Sequence, residues 1–264
     1  MHAIFYFLIY KKVKNSYEID FDDFELKCRE AKIFLLCSPH NPTGKVWTEE
    51  ELKRMIEICK KYNVFIISDE IHMDIIYNGK HQPILSQAGD YIENIVLCTS
   101  ASKTFNIPAL CGSYLFVTNQ KDKDEFLRIL KNRDALSSPS ILAVIATITA
   151  YNECGYWVDE LVKYTESNIK YVKEYLEKNI PILKCEIPQG AYFAWIDFSE
   201  LGISNEEFQR NLIDIGGVAI MPGLTYGEEG RYFIRLNVGC SIKKVEEGLQ
   251  RIEKAVKYIE NKNN

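Results

Sequence analysis

Lys103 stands in the run Ser100-Ala101-Ser102-Lys103, directly after the apolar stretch Ile95–Thr99. An amine in that position can hold a carbonyl group as a Schiff base, with the serines on hand as donors to an anion. Two other polar clusters follow apolar stretches in the same way. Ser38-Pro39-His40-Asn41-Pro42-Thr43-Gly44 follows Ile33–Cys37, and Ser68-Asp69-Glu70-Ile71-His72 follows Val64–Ile67. Each cluster alone has a plainer reading. Asn41-Pro42-Thr43-Gly44 is a turn, Asp69 and Glu70 are strand-end carboxylates or a helix cap, and Lys103 is a surface lysine. Together, in order, each behind an apolar run, they point to one site.

The elements that must position these residues are legible as alternating runs. Ile33–Cys37, Val64–Ile67, Ile95–Thr99 and Ser113–Val117 are short and nearly free of charge, which predicts strands buried on both faces. Thr48–Tyr62 has helical spacing through Leu52, Met55, Ile56 and Cys59, with Thr48 as N-cap and Glu51 three residues on. Strand–helix–strand alternation predicts an α/β domain with a largely parallel sheet, whose strand ends would gather the three clusters in one crevice. Helices are expected over Lys121–Leu130, Pro139–Asn152 and Tyr156–Asn179. Beyond these, strands over Leu183–Ile187, Ala191–Phe198, Val218–Met221 and Tyr232–Val238 and helices over Ser204–Ile215 and Lys243–Glu260 read as α+β. The expected division is a large domain over residues 1–160 and a smaller C-terminal α+β domain over residues 161–264.

Pyridoxal phosphate needs what these clusters hold. An amine binds its aldehyde, an anion keeps its pyridine nitrogen protonated, an amide reaches its phenolate oxygen, and hydroxyls reach its phosphate. Lys103, Asp69, Asn41 and Ser100 with Ser102 fill those roles in turn. The wording of Ser38–Trp47, Ser68–Asp74 and Ser100–Leu110 resembles the class I/II aminotransferase family of fold-type I pyridoxal-phosphate enzymes. Within it, the chain resembles the cystathionine β-lyase and cysteine-conjugate C–S lyase branch. That resemblance implies a pyridoxal-phosphate transferase-like large domain, with Lys103 binding the cofactor covalently and Asp69 pairing with the pyridinium. It implies Asn41 and His72 at the phenolate oxygen and Ser100 and Ser102 at the phosphate. It also implies Arg235, in Phe233-Ile234-Arg235-Leu236-Asn237, as a bidentate clamp for the substrate carboxylate. Without the family pattern, Arg235 reads equally as a structural ion-pair residue.

Two departures from the family pattern stand out. Cys111 occupies the place, eight residues after Lys103, where many transaminases carry a phosphate-binding arginine. The family's N-terminal segment and the front of its large domain are expected upstream of residue 1. The reading that follows is β-elimination on cystathionine or cysteine S-conjugates, giving pyruvate, ammonia and a thiol. The rivals are an aminotransferase and a non-catalytic remnant or binding protein. A homodimer of the full-length form and a small amino-acid substrate are the implied partners.

Composition narrows the rest. The 264 residues carry a formal charge of −5 with both signs interspersed, which argues against nucleic acid and anionic membranes. The eight cysteines include no C-x-x-C pair and read as reduced, mostly buried small hydrophobes of a cytoplasmic protein. His72, Asp74 and His81 match no zinc spacing, so no metal site is expected. Ala3–Tyr10 is too short to span a bilayer and lacks a signal-peptide pattern, so it reads as a buried strand. Tyr192, Phe193 and Trp195 read as core of a strand.

Overall fold

The computed structural model describes residues 10–13, 16–136 and 138–263. Of the strand expected over Ala3–Tyr10, all but Tyr10 lies outside the described residues. Strand β1 (Tyr10–Val13) pairs antiparallel with β2 (Ser16–Ile19), and helix α1 (Phe21–Cys28) follows. The sequence analysis passes over all three, which are only four to eight residues long.

Strand β3 (Ile33–Cys37), helix α2 (Glu49–Tyr62), strands β4 (Phe65–Asp69) and β5 (Ile95–Thr99), the single turn α3 (Ala101–Thr104) and strand β6 (Tyr114–Val117) come next. The sheet order is β3-β4-β5-β6, parallel through the first three and antiparallel at β6. Thr48 caps α2 by accepting from the Glu51 amide at 3.2 Å, and Glu51 accepts from the Thr48 amide at 2.8 Å. That capping box is the one expected, and Leu52, Met55, Ile56 and Cys59 are all buried. Helices α4 (Gln120–Asn132), α5 (Ile141–Glu153) and α6 (Gly155–Asn179) complete this part.

The expectation of strands buried on both faces does not hold in this chain. β3 alternates, with Phe34 and Leu36 buried but Ile33 and Leu35 exposed, and β6 exposes Leu115 and Phe116. Apolar composition marks a strand with two faces to cover; among the described residues β3 has one face covered, and β6 buries no residue on either.

Strand β7 (Lys184–Cys185), β8 (Phe193–Asp197), helix α7 (Asn205–Asn211), β9 (Met221–Pro222), β10 (Phe233–Asn237) and helix α8 (Ile242–Asn263) follow. They build an antiparallel sheet of order β7-β8-β10-β9. Val245, Leu249, Ile252, Val256 and Ile259 recur at helical spacing along α8 and are all buried. Ala194, Ile196 and Ile234 are buried together on one face of this sheet. The expected strands over Leu183–Ile187 and Val218–Met221 shrink to two residues each.

By backbone proximity the described residues form two compact units. The first comprises Phe21–His40 and Lys45–Leu161. The second comprises Asn41–Gly44, residues 162–263 and the β1–β2 pair. No helix among the described residues is long and apolar enough to cross a membrane.

Candidate active site

In the first unit, register alone aligns the ends of the parallel strands. Cys37 lies opposite Asp69, and Asp69 opposite Cys98. The turn beyond β3 is tied down there, the Ser38 amide donating to the Asp69 carbonyl at 2.9 Å. Asp69 is exposed, and its carboxylate accepts from the Ile71 amide at 3.1 Å. It has no cationic partner among the described residues. Burial, with the Asp69 charge adding, pushes the neighbouring Cys98 thiol upward.

One strand over, Ser100 caps α3. Its hydroxyl accepts from the Ser102 amide at 3.0 Å and donates to the Gly112 carbonyl. Ser100 is therefore engaged in holding the turn, while the half-buried Ser102 hydroxyl keeps its donor. Lys103 projects from that turn, exposed, with no carboxylate partner among the described residues. An amine just past β5 and a carboxylate at the last position of β4, neither in an ion pair among the described residues, thus stand at the ends of two adjacent strands.

The segment after Asp69 is fixed by a buried carboxylate that sequence reasoning did not single out. Glu70 is fully buried and accepts from Ser68 Oγ at 2.9 Å and from the Ile84 amide at 3.0 Å. His81 Nε2 meets its other oxygen at 2.6 Å. A buried carboxylate must be satisfied by such partners, and here they pin residues 71–84, which include the buried His72. His81 and Asp74 face separate partners, Glu70 and Thr104. The described residues contain no cluster of three metal-ligating side chains.

In the second unit, Asn41 and Arg235 meet directly. Arg235 Nη1 donates to Asn41 Oδ1 at 3.0 Å. The guanidinium lies over the Phe193 ring at 4.3 Å and the Tyr226 ring at 5.3 Å, and its Nε is buried with no hydrogen-bond partner. Burial pushes the Tyr192 and Tyr226 hydroxyls up, opposed in part by the Arg235 charge. Phe193 is core, as its place in the strand suggested, yet it also forms the floor under Arg235. Sequence spacing could not show that second role.

Gly44 explains why this turn needs its glycine. Its φ is +67°, and a Cβ there would sit 2.4 Å from Pro188 Cβ and 2.5 Å from the Gly190 carbonyl oxygen.

Asp69, His72, Ser100, Ser102 and Lys103 thus lie in the first unit, and Asn41 and Arg235 in the second. The sequence profile described as aminotransferase class I and II matches residues 3–252. Protein MalY of Escherichia coli is 47% identical over 232 residues, covering 87% of this chain and 58% of that protein. Cystathionine beta-lyase PatB of Bacillus subtilis is 38% identical over 245 residues, covering 92% of this chain and 63% of that protein. Cystalysin from Treponema denticola, whose crystal structure contains pyridoxal 5'-phosphate, superposes with a TM-score of 0.88 at 32% identity. That match covers 94% of this chain and 64% of cystalysin. The chain therefore spans about three-fifths of the length of these relatives. Fold, motif order and sequence together make this chain a member of the class I and II aminotransferase family.

Proposed function

We propose that this chain carries the lysine centre of a pyridoxal-phosphate-dependent C–S β-lyase acting on cystathionine or a related cysteine S-conjugate. The observation that carries this reading is the unpaired pair at the strand ends, Lys103 and Asp69. The donor set fits the cofactor: an amine for its aldehyde, a carboxylate for its ring nitrogen, and the Ser102 hydroxyl for its phosphate, with Asn41 and His72 for its phenolate oxygen. Pyridoxal phosphate, when bound, supplies an aldehyde that condenses with amines and a ring that accepts electron density.

The chain's own residues do the rest. Arg235 has no carboxylate partner among the described residues, and its Nε is buried without an acceptor. A substrate α-carboxylate would satisfy it, taking two parallel hydrogen bonds from the planar guanidinium. Asn41 and the Phe193 ring hold that guanidinium in place before substrate arrives. With the substrate's amine held by the cofactor, the free Lys103 Nζ would be the base that takes the proton from the substrate's α-carbon. Loss of that proton would let the Cβ–S bond break with its electrons on sulfur, the Lys103 ammonium would return the proton to the departing thiolate, and water would convert the three-carbon remainder to pyruvate and ammonia.

A cystathionine beta-lyase at 38% identity supports elimination over transamination. A homodimer is supported by the row of exposed apolar side chains on β6 and α5. The cytoplasm is supported by eight free cysteines. We likewise read residues 1–160 as the cofactor-binding domain and 161–264 as the small domain. The deciding assay is pyruvate release from cystathionine with pyridoxal phosphate and no added keto acid. Pyruvate is the expected product; turnover only when a keto acid is supplied makes the protein an aminotransferase.

A further inference from the structure

Helix α3 is a single turn of four residues. One turn does not hold itself, because fixing its backbone costs more than its few hydrogen bonds return. Its internal support is the Phe105 amide on the Ala101 carbonyl at 2.9 Å and the Ile107 amide on the Ser102 carbonyl at 3.1 Å. The rest comes from outside. Ser100 anchors the start through Gly112. Beyond Lys103, the next residue is anchored twice. Thr104 is fully buried, its hydroxyl donates to Asp74 Oδ2 at 2.8 Å, and its carbonyl accepts from Trp157 Nε1 at 2.9 Å. Tyr151 donates to the same Asp74 oxygen at 3.5 Å, its ring edge-on to Phe105 at 5.3 Å. Burial, with Tyr114 and Asp74 adding, pushes the Tyr151 hydroxyl far up, so it stays a donor.

We propose that Asp74 is a positioning residue for Lys103, acting through the Thr104 hydroxyl. Asp74 lies five residues beyond Asp69, so one short segment ties the carboxylate at the end of β4 to the turn that carries the amine. Lys103 is held by its neighbours on both sides while its own side chain has no partner among the described residues. A reactive amine needs that combination, because misplacement by about an ångström can cost on the order of a hundredfold in rate. The inference rests on Lys103 being the cofactor lysine, and its test separates the two claims.

Four variants of the whole chain, Asp74→Ala, Asp74→Asn, Thr104→Val and Thr104→Ser, are compared by two readouts. The first is hydrogen exchange at the Phe105 and Ile107 amides, which needs no cofactor. Exchange should rise at least about tenfold in Asp74→Ala and Thr104→Val, and stay within about threefold of the unsubstituted chain in Thr104→Ser and Asp74→Asn, which keep donor and acceptor. The second is the fraction of borohydride-fixed pyridoxal phosphate found on Lys103 relative to all other lysines. That fraction should fall about tenfold in Asp74→Ala and Thr104→Val and recover in Thr104→Ser. Thr104→Val is near-isosteric, so it removes the hydroxyl without emptying the site. Thr104→Val behaving like Thr104→Ser in either readout overturns the proposal. Absence of label on Lys103 in the unsubstituted chain sinks the cofactor reading instead, and the exchange rates then decide the positioning claim alone.

Discussion

The two units differ in how they use apolar residues. In the second, the apolar positions of α8 turn inward, and Ile252 and Leu249 are fully buried. In the first, large side chains of similar character face outward: Leu35 is 65% exposed, Phe116 51%, Ile141 68% and Leu142 63%. Helix α5 is apolar on nearly every face yet buries only Ala143 and Ala150. At about 25 cal/mol for each Å² of apolar surface, such a face is costly to leave wet. The second unit carries its own core. The first leaves a broad apolar face uncovered among the described residues.

The contrast predicts unequal responses to the same kind of change. Ile252→Ala, in the closed core, should cost about 2–5 kcal/mol in urea unfolding. Leu142→Ala, on the open face, should shift stability by less than about 0.5 kcal/mol while reducing self-association in sedimentation. Equal costs at the two positions, measured at a concentration where the protein is monomeric, would mean that the face around Leu142 is covered within one chain, and the comparison would fail.

Acid should act on the first unit. His40 lies against Trp47, its ring centroid at 6.2 Å, and its amide donates to the Lys45 carbonyl at 2.8 Å. Burial lowers its pKa from 6.5 to about 4, although the residue as a whole keeps some contact with solvent. The unfolded chain therefore binds a proton on His40 that the folded one refuses between those values. Its contribution is intact above pH 6.5 and is lost as pH falls toward 4, on the order of 3 kcal/mol in all. His40→Gln should flatten that part of the stability curve. A curve of unchanged slope in the variant would remove His40 as the cause.

A smaller effect is expected at Arg235. Arg235→Ala should weaken amino-acid binding by roughly ten- to a hundredfold, since each hydrogen bond to a charged group contributes about 1.5–3 kcal/mol. Cofactor uptake should barely change. Titration with a substrate analogue checks the first statement and cofactor absorbance the second; loss of cofactor with amino-acid affinity intact would make Arg235 a structural residue.

What the sequence shows and hides follows from the same physics. Thr48 and Glu51 announce their capping box because both partners lie within one turn. The runs around β3, β4 and β5 announce strands, since local composition decides them, but not that only one face of β3 would be covered. That depends on residues far away in the chain. The short elements β1, β2 and α1 offer too few residues for a period to emerge. The site divides in the same way. Lys103, Asp69 and Asn41 could be picked out by type and place, each behind an apolar run. The supports could not. Glu70 with His81, Thr104 with Asp74, and Arg235 over Phe193 join residues 11, 30 and 42 positions apart, and no spacing rule signals them.

The central claim is that Lys103, just beyond β5 and without a carboxylate partner among the described residues, is the amine that takes the cofactor. The direct measurement is incubation of the chain with pyridoxal phosphate, reduction with borohydride, and mass mapping of the labelled peptide. The account predicts a visible absorbance band before reduction and a label on the peptide that contains Lys103, absent in Lys103→Ala. A label of equal strength in Lys103→Ala, or one confined to another lysine, would contradict it.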